Sequence, residues 1–215
     1  MMKKIVMYPH GGSGNHGCEA IVRTTSILLS GNDLILYTEN LEEDCRYGLD
    51  KVVPIQHSHQ NVGKLSISYL KAFWRSHILH DGNAFDELYF SPVISNLDSG
   101  NILLSIGGDN YCYGDNRYIY LINKKARKNG CKTVLWGCSV NPEEITDEMY
   151  EDLALYDLII ARESITYAAL KEINRKTILL PDPAFNLKKQ KGFIPSKLED
   201  NTFVGLNLSP MVQKL

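Results

Sequence analysis

Apolar and amphipathic stretches alternate along the whole chain. Lys3–Tyr8 is apolar at successive positions and predicts a strand covered on both faces. From about Gly17 to Leu29, Ile21, Thr24 or Thr25, and Leu28 recur with helical spacing, and Gly31-Asn32 ends the helix. Leu34–Tyr37 reads as a second strand, Leu41–Tyr47 as a short helix and Lys51–Ile55 as a third strand. Lys64–His80 carries Ile67, Leu70, Trp74 and Ile78 in register, the pattern of a helix with one buried face. Asp81–Leu97 has no clear period.

Beyond it, Asn101–Ile106 is a strand ending in Gly107-Gly108-Asp109, and Tyr118, Ile122 and Ala126 mark a helix closed by Asn129-Gly130. Strands follow at Thr133–Gly137, Asp157–Ala161 and Lys176–Leu180, with helices over Pro142–Tyr156 and from Ser164 to about Ile173. Such alternation predicts an α/β protein with a doubly wound, mostly parallel, Rossmann-like sheet. Residues 1–187 form that domain in this reading, and the polar stretch 188–200, with Gly192 and Pro195, is a linker. Phe203–Leu208 then opens a strand, so 201–215 reads as the start of a second domain.

Sheets of this kind bind ligands beyond the carboxyl ends of their strands. The unusual residues cluster there: Gly11–Glu19, Gly107–Asn110, Gly137-Cys138-Ser139, Arg162-Glu163 and Asp182. The stretch Pro9–Ala20, rich in glycine between a strand and a helix, suits an anion held by backbone N–H groups. A tight turn with no ligand fits the same residues.

Composition narrows the partners. The net charge is −2 and no basic cluster exceeds a few residues, so a phosphate-tracking surface for nucleic acid is not expected. No segment has the ~18 apolar residues of a membrane span, and the short apolar run after Lys3-Lys4 does not make a signal peptide, so a cytoplasmic location is expected. The five cysteines contain no Cys-x-x-Cys pair, which argues against a zinc site or disulfide framework. Cys131 and Cys138 read as small buried hydrophobes, and Cys18 has no evident base to activate it.

Gly12-Ser13-Gly14-Asn15-His16-Gly17 matches the dinucleotide fingerprint literally, with Glu39 placed as a ribose acid. Pro9-His10-Gly11 lengthens the turn, however, and Asn15, His16 and Glu19 put polar side chains where pyrophosphate needs close backbone approach. Arg162, at a strand end, can hold a phosphate or carboxylate with its planar fork, or simply pair with Glu163 or another acid. Asp109 and Asp182 are site candidates that also suit capping roles. His10 and His16 lie in the turn and can titrate near neutrality.

Taken together, four stretches resemble the polysaccharide pyruvyl transferase family. They are Gly14–Ala20, Ile106–Tyr111, Asp157–Ser164 and Leu180–Phe185, in the family's order, within about residues 4–208. The resemblance implies half of a GT-B-like enzyme that transfers the pyruvyl group of phosphoenolpyruvate onto two hydroxyls of a sugar or lipid-linked oligosaccharide, as a ketal. It implies no metal and no cofactor beyond that donor. It puts the donor-binding arginine at Arg162, with Asn15 and Gly17 beside the donor. His16, Glu19, Gly107, Gly108, Asp109, Glu163 and Asp182 are further candidates. The family's acid histidine would lie beyond Leu215, making this chain inactive alone. Gly107-Gly108-Asp109 departs from the family's triple glycine. The alternatives are a nucleotide-sugar glycosyltransferase or dinucleotide enzyme, and a non-catalytic carbohydrate-assembly module.

Overall fold

The computed structural model describes residues 3–112, 115–189, 204 and 206. All seven described strands form one parallel sheet. They are β1 (Lys4–Met7), β2 (Asp33–Thr38), β3 (Ile55–His57), β4 (Ile102–Ile106), β5 (Lys132–Cys138), β6 (Leu158–Ala161) and β7 (Thr177–Leu179). Their order is β3-β2-β1-β4-β5-β6-β7, so the winding reverses between β1 and β4. The expected Rossmann-like α/β architecture is present, and the switch point lies where the two glycine-bearing strand ends meet. The linker expected at 188–200 and the strand expected at 203–208 lie almost wholly outside the described residues.

The eight described α-helices are α1 (His16–Leu28), α2 (Leu41–Arg46), α3 (Ile67–Ile78), α4 (Ala84–Tyr89), α5 (Ser91–Ile94), α6 (Arg117–Lys128), α7 (Asp147–Ala154) and α8 (Ser164–Ile173). Alternation along β1 explains the layers. Val6 and Tyr8 join Ile35, Leu103, Ile122 and Ala126 in a core beneath α6. Ile5 and Met7 point the other way, onto Ile21 and Val22 of α1 and Leu104. Each strand residue therefore leaves water on one face or the other, at ~1.5–3 kcal/mol per large side chain. A third cluster packs Leu135 and Ile159 against Leu153 of α7 and Leu170 of α8.

Several boundaries differ from the sequence reading. The third strand begins at Ile55, after Pro54, and Leu49–Lys51 forms a 3-10 turn. The helix expected over 142–156 is interrupted: Pro142–Glu144 is a 3-10 turn, and Thr146 starts α7 afresh by accepting from the Met149 N–H at 3.2 Å. The aperiodic stretch after Asp81 contains α4 and α5. Ile21, Thr24 and Thr25 of α1 are buried as expected, together with Val22, but Leu28 is half exposed. The largest difference is α3. Its helix is present, capped by Ser66, but Ile67, Leu70, Trp74 and Ile78 face solvent, and Ala72 is its one buried residue.

Candidate active site

Arg162 follows β6 directly, and its backbone N–H bonds the Cys138 carbonyl at 3.1 Å. Its guanidinium has three neighbours. Nε donates to Ser139 Oγ at 2.7 Å, Nη1 to Asp182 Oδ2 at 2.9 Å and Nη2 to Asp109 Oδ1 at 2.6 Å. The two carboxylates are not equivalent. Asp182 is mostly buried and its other oxygen caps the 3-10 turn Pro183–Asn186 by accepting from Ala184 N–H. Asp109 is 48% exposed, so its carboxylate meets solvent as well as the guanidinium. Glu163, one of the acids the sequence offers to Arg162, instead caps α8 by accepting from Ile165 and Thr166 N–H, and the pairing falls to other acids.

The backbone makes room for this arrangement. The guanidinium lies over Gly108, where a Cβ would clash with Arg162 Nη1. A bulge in β5 at Gly137, with φ of +68°, brings Ser139 to Arg162 and leaves Pro183 where a Gly137 Cβ would sit. The Gly108 carbonyl accepts from Ser139 N–H at 2.7 Å, tying the two loops together. Downstream, Tyr111 anchors the β4 loop. Its buried hydroxyl bonds Asp152 at 2.7 Å, within a network that includes Asn123 and Tyr156. Burial, then the neighbouring Tyr156 and Asp152, pushes the Tyr111 phenol well above its usual value, so it stays a neutral donor.

A cleft of about 290 Å³ opens at this point. Arg162, Asp109, Asp182, Gly107 and Gly108 line it together with Asn15, Gly17 and Cys18 from the start of α1. The arginine and the glycine turn therefore share one crevice. A second cavity of about 160 Å³, lined by His10, Glu39 and Tyr118, adjoins it across Cys18, Gly107 and Asn110, which border both. His16 and Glu19 turn elsewhere. They hydrogen-bond each other at 3.0 Å and line a separate cavity with Arg23 and Lys188.

The N–H groups of the glycine turn have internal partners. Ser13 N–H and Oγ both donate to Asp44 Oδ1, at 2.8 and 2.5 Å, and His10 Nε2 lies 3.1 Å from the same oxygen. Gly14 N–H donates to Glu43, while the Asn15 side chain takes Gly17 N–H. The acids of α2 thus occupy the anion-binding part of the turn. Residue order gave little sign of this role, apart from the acidic run Glu42-Glu43-Asp44. What remains toward the cleft is the partial positive charge of the α1 N-terminus. Burial, followed by the Asp109 charge, raises the Cys18 thiol, which makes it a poor nucleophile.

A doubly wound sheet with a charged cleft at its switch point defines a Rossmann-like α/β protein. Residues 15–211 match the family model "Polysaccharide pyruvyl transferase", which spans most of the chain. The protein belongs to the polysaccharide pyruvyl transferase family. A search of curated proteins returned no match.

Gly108→Ala tests the geometry. The atoms met by the new methyl are the far end of a flexible side chain, so the fold should tolerate it, with thermal stability changed by under about 1 kcal/mol. Arg162 must move, however. Anion binding in the cleft, followed by calorimetry, should fall nearly as far as in Arg162→Ala.

Proposed function

We propose that the cleft binds phosphoenolpyruvate and that the chain takes part in transferring its pyruvyl group to a sugar diol as a cyclic ketal. The observation that carries this reading is Arg162, fixed on two sides by Ser139 and Asp182 and closed on the third by the half-exposed Asp109 carboxylate. A donor anion takes the place of Asp109 on Nη2, while Ser139 and Asp182 keep the guanidinium plane in position. The α1 N-terminus faces the same volume and favours the second anionic group.

The acceptor then occupies the adjoining cavity, where Glu39, Asn110 and Tyr118 offer hydroxyl-binding groups and an aromatic face. A proton added to the donor methylene carbon leaves the neighbouring carbon electrophilic. A sugar oxygen bonds to that carbon and gives its proton to Glu39. The bond to phosphate breaks with its electron pair going to phosphate, and the second hydroxyl closes the ring. Of the two hydroxyl protons, one replaces that added to carbon and the other leaves on phosphate, so the sum is ketal plus hydrogen phosphate. The carboxylates of α2 on the glycine turn oppose the dinucleotide alternative, because pyrophosphate would meet Glu43 and Asp44.

Calorimetry with phosphoenolpyruvate, a nucleotide-sugar and NAD in parallel tests the donor. Binding of phosphoenolpyruvate alone is expected; binding of either other compound in its place would refute the reading. Ketal formation is followed as phosphate release with glycosides bearing free vicinal or 1,3-diols. Asp109→Asn gives a sharper check. It removes a competing carboxylate from Arg162, so phosphoenolpyruvate should bind several-fold more tightly, on the order of 1 kcal/mol. Weaker binding would place Asp109 among the donor's partners instead.

A further inference from the structure

The exposed apolar side of α3 has no part in the chemistry above. Leu65 is 94% exposed, Ile67 73%, Trp74 54% and Ile78 60%, with Leu70, Phe73 and Leu79 also open to solvent. At about 100° per residue, Ile67, Leu70, Trp74 and Ile78 form one stripe along the helix. Ala72, Tyr69 and Ser76 lie on the opposite side, which is the side that meets the protein, with the Tyr69 and Phe85 rings 5.5 Å apart. The stripe therefore points directly away from the fold. Contiguous exposed apolar area of this kind marks a surface that meets a partner.

Charge identifies the partner. The chain has 25 Asp and Glu and a net charge of −2, yet none of those acids falls between Lys51 and His80. That span holds Lys51, Lys64, Lys71 and Arg75, together with four of the six histidines. Beside α3, Asp81 and Glu87 pair with Arg75 and Asp86 of α4 is exposed, while Lys64 and Lys71 are exposed ahead of and along the stripe. The wheel puts Lys71 immediately beside the apolar stripe. Trp and Phe within the apolar side and Lys71 at its margin suit the boundary between headgroups and acyl chains. At ~18 Å this helix is too short to cross a bilayer.

We propose that α3 is an interfacial helix that docks the protein on the surface of an anionic phospholipid bilayer. The stripe enters the headgroup region, and Lys64 and Lys71 reach the lipid phosphates.

Cosedimentation with phosphatidylcholine vesicles and with phosphatidylcholine–phosphatidylglycerol vesicles tests this. The wild-type chain should bind the anionic vesicles at least about tenfold better than the neutral ones. Leu70→Glu with Trp74→Glu should abolish binding, and Lys64→Glu with Lys71→Glu should lower it roughly tenfold or more on anionic vesicles only. All four side chains are exposed, so circular dichroism should show an unchanged fold. No binding to either vesicle, or binding indifferent to these variants, overturns the proposal. A dimer that Leu70→Glu with Trp74→Glu disperses, with no vesicle binding, would assign the stripe to a second copy and also overturn it.

Discussion

Replacing Arg162 with alanine is expected to weaken phosphoenolpyruvate binding by about 2–4 kcal/mol, or roughly 30- to 1,000-fold. The size follows from what is lost and from what stays behind. The guanidinium provides the fixed positive charge among the side chains lining the cleft. Without it, Asp109 and Asp182 remain as two carboxylates facing the volume the donor must enter, and they repel it. Arg162→Lys should recover only part of the loss. An ammonium restores the charge but cannot hold Ser139, Asp182 and a donor oxygen in one plane. Calorimetric titration of the three proteins measures the order directly. Equal affinities in wild type and Arg162→Ala would remove the arginine from the donor site. Comparison with Gly108→Ala then separates the charge from its position, since that variant keeps the guanidinium and displaces it.

The parallel sheet was legible because β1, β4, β5 and β6 are apolar on both faces and each is followed by a helical period. The location of the cleft followed from the same pattern, since a doubly wound sheet concentrates ligand contacts at its strand ends. The pairing inside the cleft was not legible. Arg162 has an acid as its immediate neighbour in sequence, yet it reaches Asp109 and Asp182, 53 and 20 residues away. Glu163 is drawn off by the free N–H groups at the start of α8. The occupied state of the glycine turn was hidden for the same reason, because Asp44 lies 31 residues from Ser13. For α3, periodicity identified the helix correctly but not its orientation. A stripe that meets solvent has the same spacing as one that meets a core, and only the small Ala72 on the opposite side marks where the fold lies.

Asp44→Ala should have the largest effect on folding, about 3–5 kcal/mol, a substantial part of a typical domain's stability. The carboxylate is fully buried, and a single oxygen accepts from Ser13 twice and approaches His10. Removing it leaves a buried N–H, a hydroxyl and an imidazole without their partner. Burial by itself would push the Asp44 carboxyl up, but the hydrogen bonds from Ser13 and the His10 charge on its one bonded oxygen outweigh it, and the group is held below its ordinary value. The sign for stability follows. The folded state favours the ionised form, so this contribution is complete above the ordinary aspartate value of ~4 and declines as pH falls through the lowered one. Urea unfolding of wild type and Asp44→Ala should therefore show a gap that narrows below about pH 4. A gap that stays constant to the acid limit would mean that the lost stability came from packing and not from the ion. Asp44→Asn keeps an acceptor for Ser13 N–H and should cost about 1–2 kcal/mol. Because Asp44 holds the turn that sets the start of α1, both variants should also weaken the donor, but by less than Arg162→Ala. That contrast separates the residue that shapes the crevice from the one whose charge fills it.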